Sequence, residues 1–426
     1  MTFRLRVPSP SWDSRNASLH RWQFFVRLGS AVPALTGGRP SQVIEFAERG
    51  SRAYPLRNPA FGGHLLGQEV VLELHSSPAL PEVTMTKVSI LSIDGGGIRG
   101  IIPAILLAEI EKRTGKQAHE LFDYIAGTST GGLLALALAR PDRPEGSAAR
   151  FSASDLLSLY LNHGREIFSS PFLWKLKTLF GLAGPKYDGR ALARVLREYL
   201  GDYKLHNALT GVLVTAYDTE APAPIFFKSW RAHPGNEYDF LMAQVALATA
   251  AAPTYFPAIR LPALTPSATA MCLVDGGVFA ANPGMCALAD AHHRLPSADP
   301  YVVSLGTGDS ERPIPFKQVH SWGLIGWASN VLDVIFDGVS DTVDYELTEL
   351  VPTLHSGTHK RLQPKLPARL AGMDDARPAN VAALVELANR FIAEQTTTLD
   401  QISKDLVAAI PFRTMHSSAR ARNEIS

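Results

Sequence analysis

The 426-residue sequence has only two cysteines, Cys272 and Cys286. Two cysteines cannot build a disulfide framework, and neither sits in a metal-ligand spacing, so a reducing, cytoplasmic setting is expected. An excess of one charge is also lacking. Lys and Arg number 41 and Asp and Glu 40, for a formal net charge of +1, which offers a nucleic acid no broad basic surface. No apolar run approaches the roughly 18 residues of a membrane span. The N-terminus has no uninterrupted apolar stretch of the kind a secretory signal carries, and no internal repeat is visible. Hydrophobic residues make up 46% of the chain. The length is generous for one domain and short for three, and it allows a sizeable core.

The chain divides near residue 85. Residues 1–84 are irregular, rich in Pro and Arg, and contain no Lys. Within them, "SQVIEFAER" reads as a short helix capped by Ser41, and "EVVLEL" as a strand. From Met85 onward apolar strands, glycine turns and amphipathic helices alternate, the pattern of a layered α/β domain. "MTKVSILSIDGGG" has the character of a domain start. The expected organisation is an N-terminal extension over 1–84, upstream of a native start at Met85, then an α/β domain over 85–400 and a C-terminal tail over 401–426.

"SIDGGGIRG" (residues 92–100) lies between a predicted strand, Val88–Ile93, and a predicted helix, Gly100–Thr114, with Pro103 in its first turn where proline is tolerated. Gly95, Gly97 and Gly100 match the dinucleotide fingerprint G-x-G-x-x-G. That reading also needs an acidic residue at the tip of the next strand. The next strand, "YIAG" (124–127), runs instead into "TSTGG", and Asp123 lies before it. No Lys-Ser/Thr pair follows the glycines, so a nucleoside-triphosphate loop fails too.

Gly127-Thr128-Ser129-Thr130-Gly131 is G-x-S-x-G, set between a short apolar strand and the small-residue helix "GLLALALA". This is the strand–elbow–helix context of a nucleophilic serine, and the helix N-terminus favours negative charge there. The serine needs a base. His292, His293, His320, His355 and His359 lie downstream, but none follows the late strand "YVVSL", which continues as "GTGD". "CLVDGGVFAANP" offers Asp275 at a strand tip, followed by Gly276 and Gly277. A carboxylate there can take the serine proton and return it to the leaving group. Acyl transfer builds an oxyanion that needs preorganised N–H donors. Gly95, Gly96 and Gly97 have no side chains to block a close approach and are the expected donors. Arg99 either fixes the loop, counters a lipid phosphate or lies on the surface.

In this order, "DGGGIRG", "GTSTGG" and "DGG" resemble the patatin-like phospholipases. The resemblance extends through "KYDGRALARVLREYLGD", "VTAYDTEAPAPIFFKS", "ALATAAAPTYFPA", "VVSLGTG" and "RLQPKL…MDDA", from about Lys87 to about Glu394. It implies a three-layer α/β/α fold with a central, mostly parallel sheet. It also implies a Ser129–Asp275 dyad that uses no histidine, and an oxyanion hole at residues 95–97. Asp94, Arg99, Gly100, Gly127, Gly131, Gly276 and Gly277 complete its motifs. The implied substrates are acyl esters of phospholipids or related lipids, and no metal or organic cofactor is implied. Three other readings stand beside this one: a nucleotide-regulated antiphage effector, a generic serine esterase using a histidine, and a catalytically idle lipid-binding protein. A lipid enzyme must reach its substrate. "REIFSSPFLWKLKTLFGLAGPK" (165–186) mixes Phe168, Phe172, Trp174 and Leu176 with Lys175, Lys177 and Lys186, as an interfacial flap does. A helix packed across the sheet with snorkelling lysines accounts for it equally.

Overall fold

The computed structural model describes residues 87–178, 183–310, 313–323, 326–327 and 330–423, without the side chains of residue 173 and of residues 411–423. These residues belong to one compact unit, Ser77–Ser426. The elements expected in residues 1–84 and the Met85 start lie outside the described residues.

The strands are β1 (Lys87–Ile93), β2 (Tyr124–Gly127), β3 (Gly211–Asp218), β4 (Ala223–Lys228), β5 (Ile259–Leu261), β6 (Met271–Asp275), β7 (Asp299–Leu305), β8 (Asp309–Ser310), β9 (Thr358–Leu362) and β10 (Lys365–Leu366). Eight of them form one sheet in the order β5-β6-β3-β2-β1-β7-β9, with β4 also paired to β3. The pairs among β9, β7, β1, β2 and β3 are parallel, and those that bring in β4, β5 and β6 are antiparallel.

Alternation along the strands builds two cores. Leu91, Ile93, Ile125, Val212, Val214, Val303 and Leu305 face one side, where most of the helices pack. Val88, Ile90, Tyr124, Ala126, Leu213 and Val302 face the other, against the helix Gly284–Arg294 and Leu347. Both faces of the parallel strands are therefore covered, as such sheets require. The result is the three-layer α/β/α architecture. The helix Thr130–Ala139 is buried at all ten positions, which explains its run of small and apolar residues without a polar face.

The C-terminal boundary differs from the sequence expectation. The helix Thr396–Asn423 crosses residue 400 without a break and buries Leu399, Ile402 and Leu406 in the main core. Tyr301 on β7 donates its hydroxyl to Asp405 at 3.0 Å. Residues 401–410 are thus part of the domain, not a tail.

Strand direction near β3 sets up the site. β4 pairs with Leu213–Asp218 along one edge of β3. β2 pairs with Gly211–Val214 and β6 with Ala216–Asp218, so both must occupy the opposite edge, one after the other. β6 is antiparallel and runs toward the end of β2. The carboxyl tip of β2, Gly127, lies opposite Val214, and that of β6, Asp275, lies opposite Ala216.

Candidate active site

Ser129 follows the tip of β2. It starts the helix Thr130–Ala139 from a backbone at φ 54°, ψ −123°, a region that side chains disfavour and that surrounding structure must enforce. Close packing enforces it. A Cβ on Gly127 would stand 2.1 Å from the Gly131 carbonyl oxygen, and one on Gly131 would stand 2.1 Å from that of Ile93. Hydrogen bonds hold the turn from outside. The Ser129 amide donates to Thr249 Oγ1 at 2.8 Å. Thr128 Oγ1 donates to the Ala280 carbonyl at 2.6 Å and lies 2.7 Å from Thr215 Oγ1. One hydroxyl proton serves one acceptor, so Thr215 is the donor in the second contact.

Asp275 is fully buried. Its Oδ1 accepts from the Gly277 amide at 2.7 Å, while Oδ2 is buried without a hydrogen-bond partner. Burial pushes its pKa up to about 7, against the opposing pull of the Ser129 hydroxyl and the Gly277 amide. The serine is therefore near enough to stabilise the carboxylate, although the resting rotamers do not form a full bond to Oδ2. β6 is not one of the parallel strands that make up most of the sheet. It is antiparallel, and its tip reaches Ser129 because it abuts β2 along β3.

The glycine loop divides in its duties. The Gly95 amide donates to Ala281 O at 2.9 Å and is therefore occupied, which removes it from the three expected oxyanion donors. The amides of Gly96 and Gly97 make no hydrogen bond among the described contacts. The loop is clamped by Thr307, whose hydroxyl donates to Gly95 O at 2.7 Å, and by the Ile98 amide, which donates to Met373 O at 2.8 Å. Gly97 has φ +59°, and a Cβ there would stand 2.1 Å from Met373 O. Gly100 lies against Thr130 and Tyr160, with no room for a Cβ.

Asp94 anchors the loop at its start. It receives a two-pronged contact from Arg361, with Nη1 to Oδ1 at 3.0 Å and Nη2 to Oδ2 at 2.6 Å, and a hydroxyl from Ser340 at 2.9 Å. Arg99 is buried, not on the surface. Its Nε reaches Gly96 O at 3.4 Å, and burial lowers its pKa against the pull of Asp337 and Asp333. Gly276 packs on Thr215 and Gly277 on the Phe336 ring.

Ser129, Asp275 and Gly97 line a narrow cavity of about 70 Å³. Its other walls are largely apolar, from Leu133, Leu159, Ile167, Phe168, Leu192, Phe256, Leu332 and Phe336. None of the five downstream histidines lines it. His359 lies on β9 with its Nε2 3.9 Å from Asp344 Oδ1, and burial lowers its pKa to about 4. The stretch 165–186 contributes Ile167 and Phe168 to the cavity. Phe172 and Leu176 beyond them are exposed, the Trp174 indole donates to the Pro185 carbonyl, and residues 179–182 lie outside the described residues.

A family model described as patatin-like phospholipase matches residues 91–287. Patatin-like protein 2 of Arabidopsis thaliana is 35% identical over 349 residues, covering 74% of this chain and 85% of its own length. The chain belongs to the patatin-like phospholipase family. A Solanum tuberosum relative, "Probable inactive patatin-3-Kuras 1", is 32% identical over 337 residues, covering 73% of this chain and 87% of its own. Among solved structures, VipD from Legionella pneumophila aligns with a TM-score of 0.33 at 12% identity, over 74% of this chain and 67% of that one. The patatin-like site thus has parts that the sequence motifs did not reveal: Thr215, Thr249, Thr307, Ser340 and Arg361. Thr215 and Thr249 sit inside apolar runs and Thr307 just after one, whereas Ser340 and Arg361 stand among polar neighbours and leave no local signal.

Proposed function

We propose that this patatin-like chain is a lipid acyl hydrolase of the phospholipase A type, with Ser129 as nucleophile and Asp275 as its base. The observation that carries the reading is the meeting of a buried carboxylate oxygen without a hydrogen-bond partner, a strained serine and Gly97 of the glycine loop on one apolar cavity. Asp275 Oδ2 takes the proton of Ser129 Oγ as that oxygen attacks the ester carbonyl. The Gly96 and Gly97 amides donate to the resulting oxyanion. As the tetrahedral adduct collapses, the proton passes to the departing alcohol, a lysolipid, and leaves an acyl-serine. Water then attacks, Asp275 again accepts the proton, and fatty acid and free Ser129 are regenerated. A carboxylate with its pKa near neutrality suits a base that must be ionised yet able to hold a proton.

The apolar walls suit the acyl chain. The exposed Phe172 and Leu176, with Lys175 and Lys177 beside them, suit a transient contact at head-group depth. Incubating the purified chain with a mixed lipid extract, beside Ser129→Ala, and following free fatty acid and lysolipid by mass spectrometry tests the assignment. Equal release by both proteins would overturn it.

A further inference from the structure

The turn at Met373 and Asp374 meets the glycine loop with its first residue and the mouth of the cavity with its second. The Met373 carbonyl accepts the Ile98 amide at 2.8 Å. The same oxygen lies so close to Gly97 that a Cβ there would stand 2.1 Å from it. Met373 is buried, lines the cavity with Ser129 and packs with Phe336. A shift of this turn therefore moves Gly97, one of the two proposed oxyanion donors.

Asp374 makes the second contact. Its Oδ2 accepts the Tyr187 hydroxyl at 2.6 Å and a proton of the Lys186 ammonium. Burial, with the Asp374 carboxylate beside it, pushes the Tyr187 pKa up, so the hydroxyl stays a donor at neutral pH. The Tyr187 ring packs against Phe168 and Phe256, with ring centres 5.7 and 5.4 Å away, and both of these line the cavity. The backbone is fixed as well. The Lys186 and Tyr187 amides donate to Thr254 O and Tyr255 O at 2.9 and 2.8 Å. The stretch 165–186 is tied to the same place, since Ser170 Oγ donates to Lys186 O and the Trp174 indole to Pro185 O, each at 3.0 Å. Asp375, the next residue, has a different partner. Arg377 Nε and Nη2 donate to its two oxygens at 2.7 and 2.6 Å.

We infer that Asp374 is a positioning residue for the proposed hydrolysis: through Tyr187 and Lys186 it fixes the turn whose Met373 carbonyl sets the place of Gly97. It does not touch the reacting atoms. The inference rests on the lipid-hydrolase reading. It adds that one carboxylate holds both the aromatic side of the acyl cavity and the loop that meets the ester carbonyl. Small displacements of such a loop are costly to turnover.

The test uses the full chain and a short monomeric ester. Asp374→Ala should lower kcat at least about tenfold and leave KM within about twofold, because a displaced oxyanion donor is missed in the transition state more than in ground-state binding. Tyr187→Phe keeps the ring, removes the hydroxyl and should also lower kcat. The double variant should be little worse than Asp374→Ala, since both changes break one contact. Asp375→Ala, in the same turn, should stay within about twofold of wild type in kcat, since Asp375 pairs with Arg377 instead. Hydrogen exchange followed by mass spectrometry needs no turnover. The Ile98 amide should exchange at least about tenfold faster in Asp374→Ala, with the helix Thr130–Ala139 unchanged. Wild-type kcat in a folded Asp374→Ala, or unaltered exchange at Ile98, overturns the inference. So does an equal loss in Asp375→Ala, which would mark a turn softened as a whole. If Asp374→Ala melts early, Tyr187→Phe carries the same comparisons. A wild-type chain that cleaves no ester would refute the hydrolase reading, and exchange at Ile98 would still decide whether Asp374 holds the loop.

Discussion

Gly127 and Asp275 end two strands that point at each other along one edge of β3, opposite Val214 and Ala216 respectively. Val214 and Ala216 of β3 thus set the separation of Ser129 and Asp275. Neither β2 nor β6 alone contains the site, and the buried hydroxyls of Thr128 and Thr215 bind the junction between them.

The pair should behave as a unit. Ser129→Ala and Asp275→Asn are each expected to lower turnover of a soluble ester by roughly 1000-fold or more, and the double variant should be little worse than either. Steady-state kinetics on the three proteins, with circular dichroism to show intact folds, checks this. A multiplicative loss in the double variant would mean that the two residues act separately.

Activity should depend on pH through Asp275, whose pKa burial pushes up to about 7. The base must be ionised, so kcat/KM should rise about tenfold per pH unit below neutrality and level off above it. Stability should run the other way. A carboxyl whose folded pKa is raised favours the folded state below its unfolded value and loses that contribution as pH rises through the folded pKa. The melting temperature of Asp275→Asn relative to wild type should therefore increase between about pH 4 and pH 7. A flat difference across that range would contradict the shift.

Adjacent glycines should separate crowding of the nucleophile from damage to the fold. A Cβ on Gly95 would lie 3.3 Å from Ser129 Cβ and meet no closer atom. Gly95→Ala should keep its melting temperature within a few degrees and lose at least about tenfold in kcat, since small displacements of reacting groups are costly. Gly97→Ala, at φ +59° and 2.1 Å from Met373 O, should be destabilised by about 1–3 kcal/mol. Denaturant unfolding of both variants beside their kinetics distinguishes the two effects.

Removing Arg361 leaves Asp94 buried with a hydroxyl as its remaining side-chain partner. Arg361→Ala is expected to cost about 3–5 kcal/mol, the usual range for an uncompensated buried charge. Arg361→Lys should recover only part of this, because an ammonium cannot make the two-pronged contact. Urea unfolding at pH 7 measures both. A loss below 1 kcal/mol in the alanine variant would show that the pair does not anchor the loop.

Ser129, Asp275 and the glycine loop were legible in the sequence because each is announced by its immediate neighbours: G-x-S-x-G behind a strand, D-G-G at a strand tip, three glycines before a helix. The layered fold was legible from its alternating pattern. What was hidden depends on partners far along the chain. Ala281 occupies the Gly95 amide, and Arg361 meets Asp94 across 267 positions. The reversed direction of β6 leaves no mark on five residues whose apolar character suits either orientation. The C-terminal helix was overlooked for another reason. Leu399, Ile402, Leu406 and Ala409 recur at the spacing of a buried helical stripe, but a polar sequence around them conceals it.

The backbone of Ser129, held at φ 54°, sets folding against chemistry at one position. Glycine relaxes in that conformation, and serine is strained there by about 1–3 kcal/mol. Ser129→Gly should therefore yield a chain that folds more firmly and cleaves nothing. Were selection for the proposed hydrolysis to lapse, a glycine at this position would relieve the strain, and an idle descendant would keep the architecture.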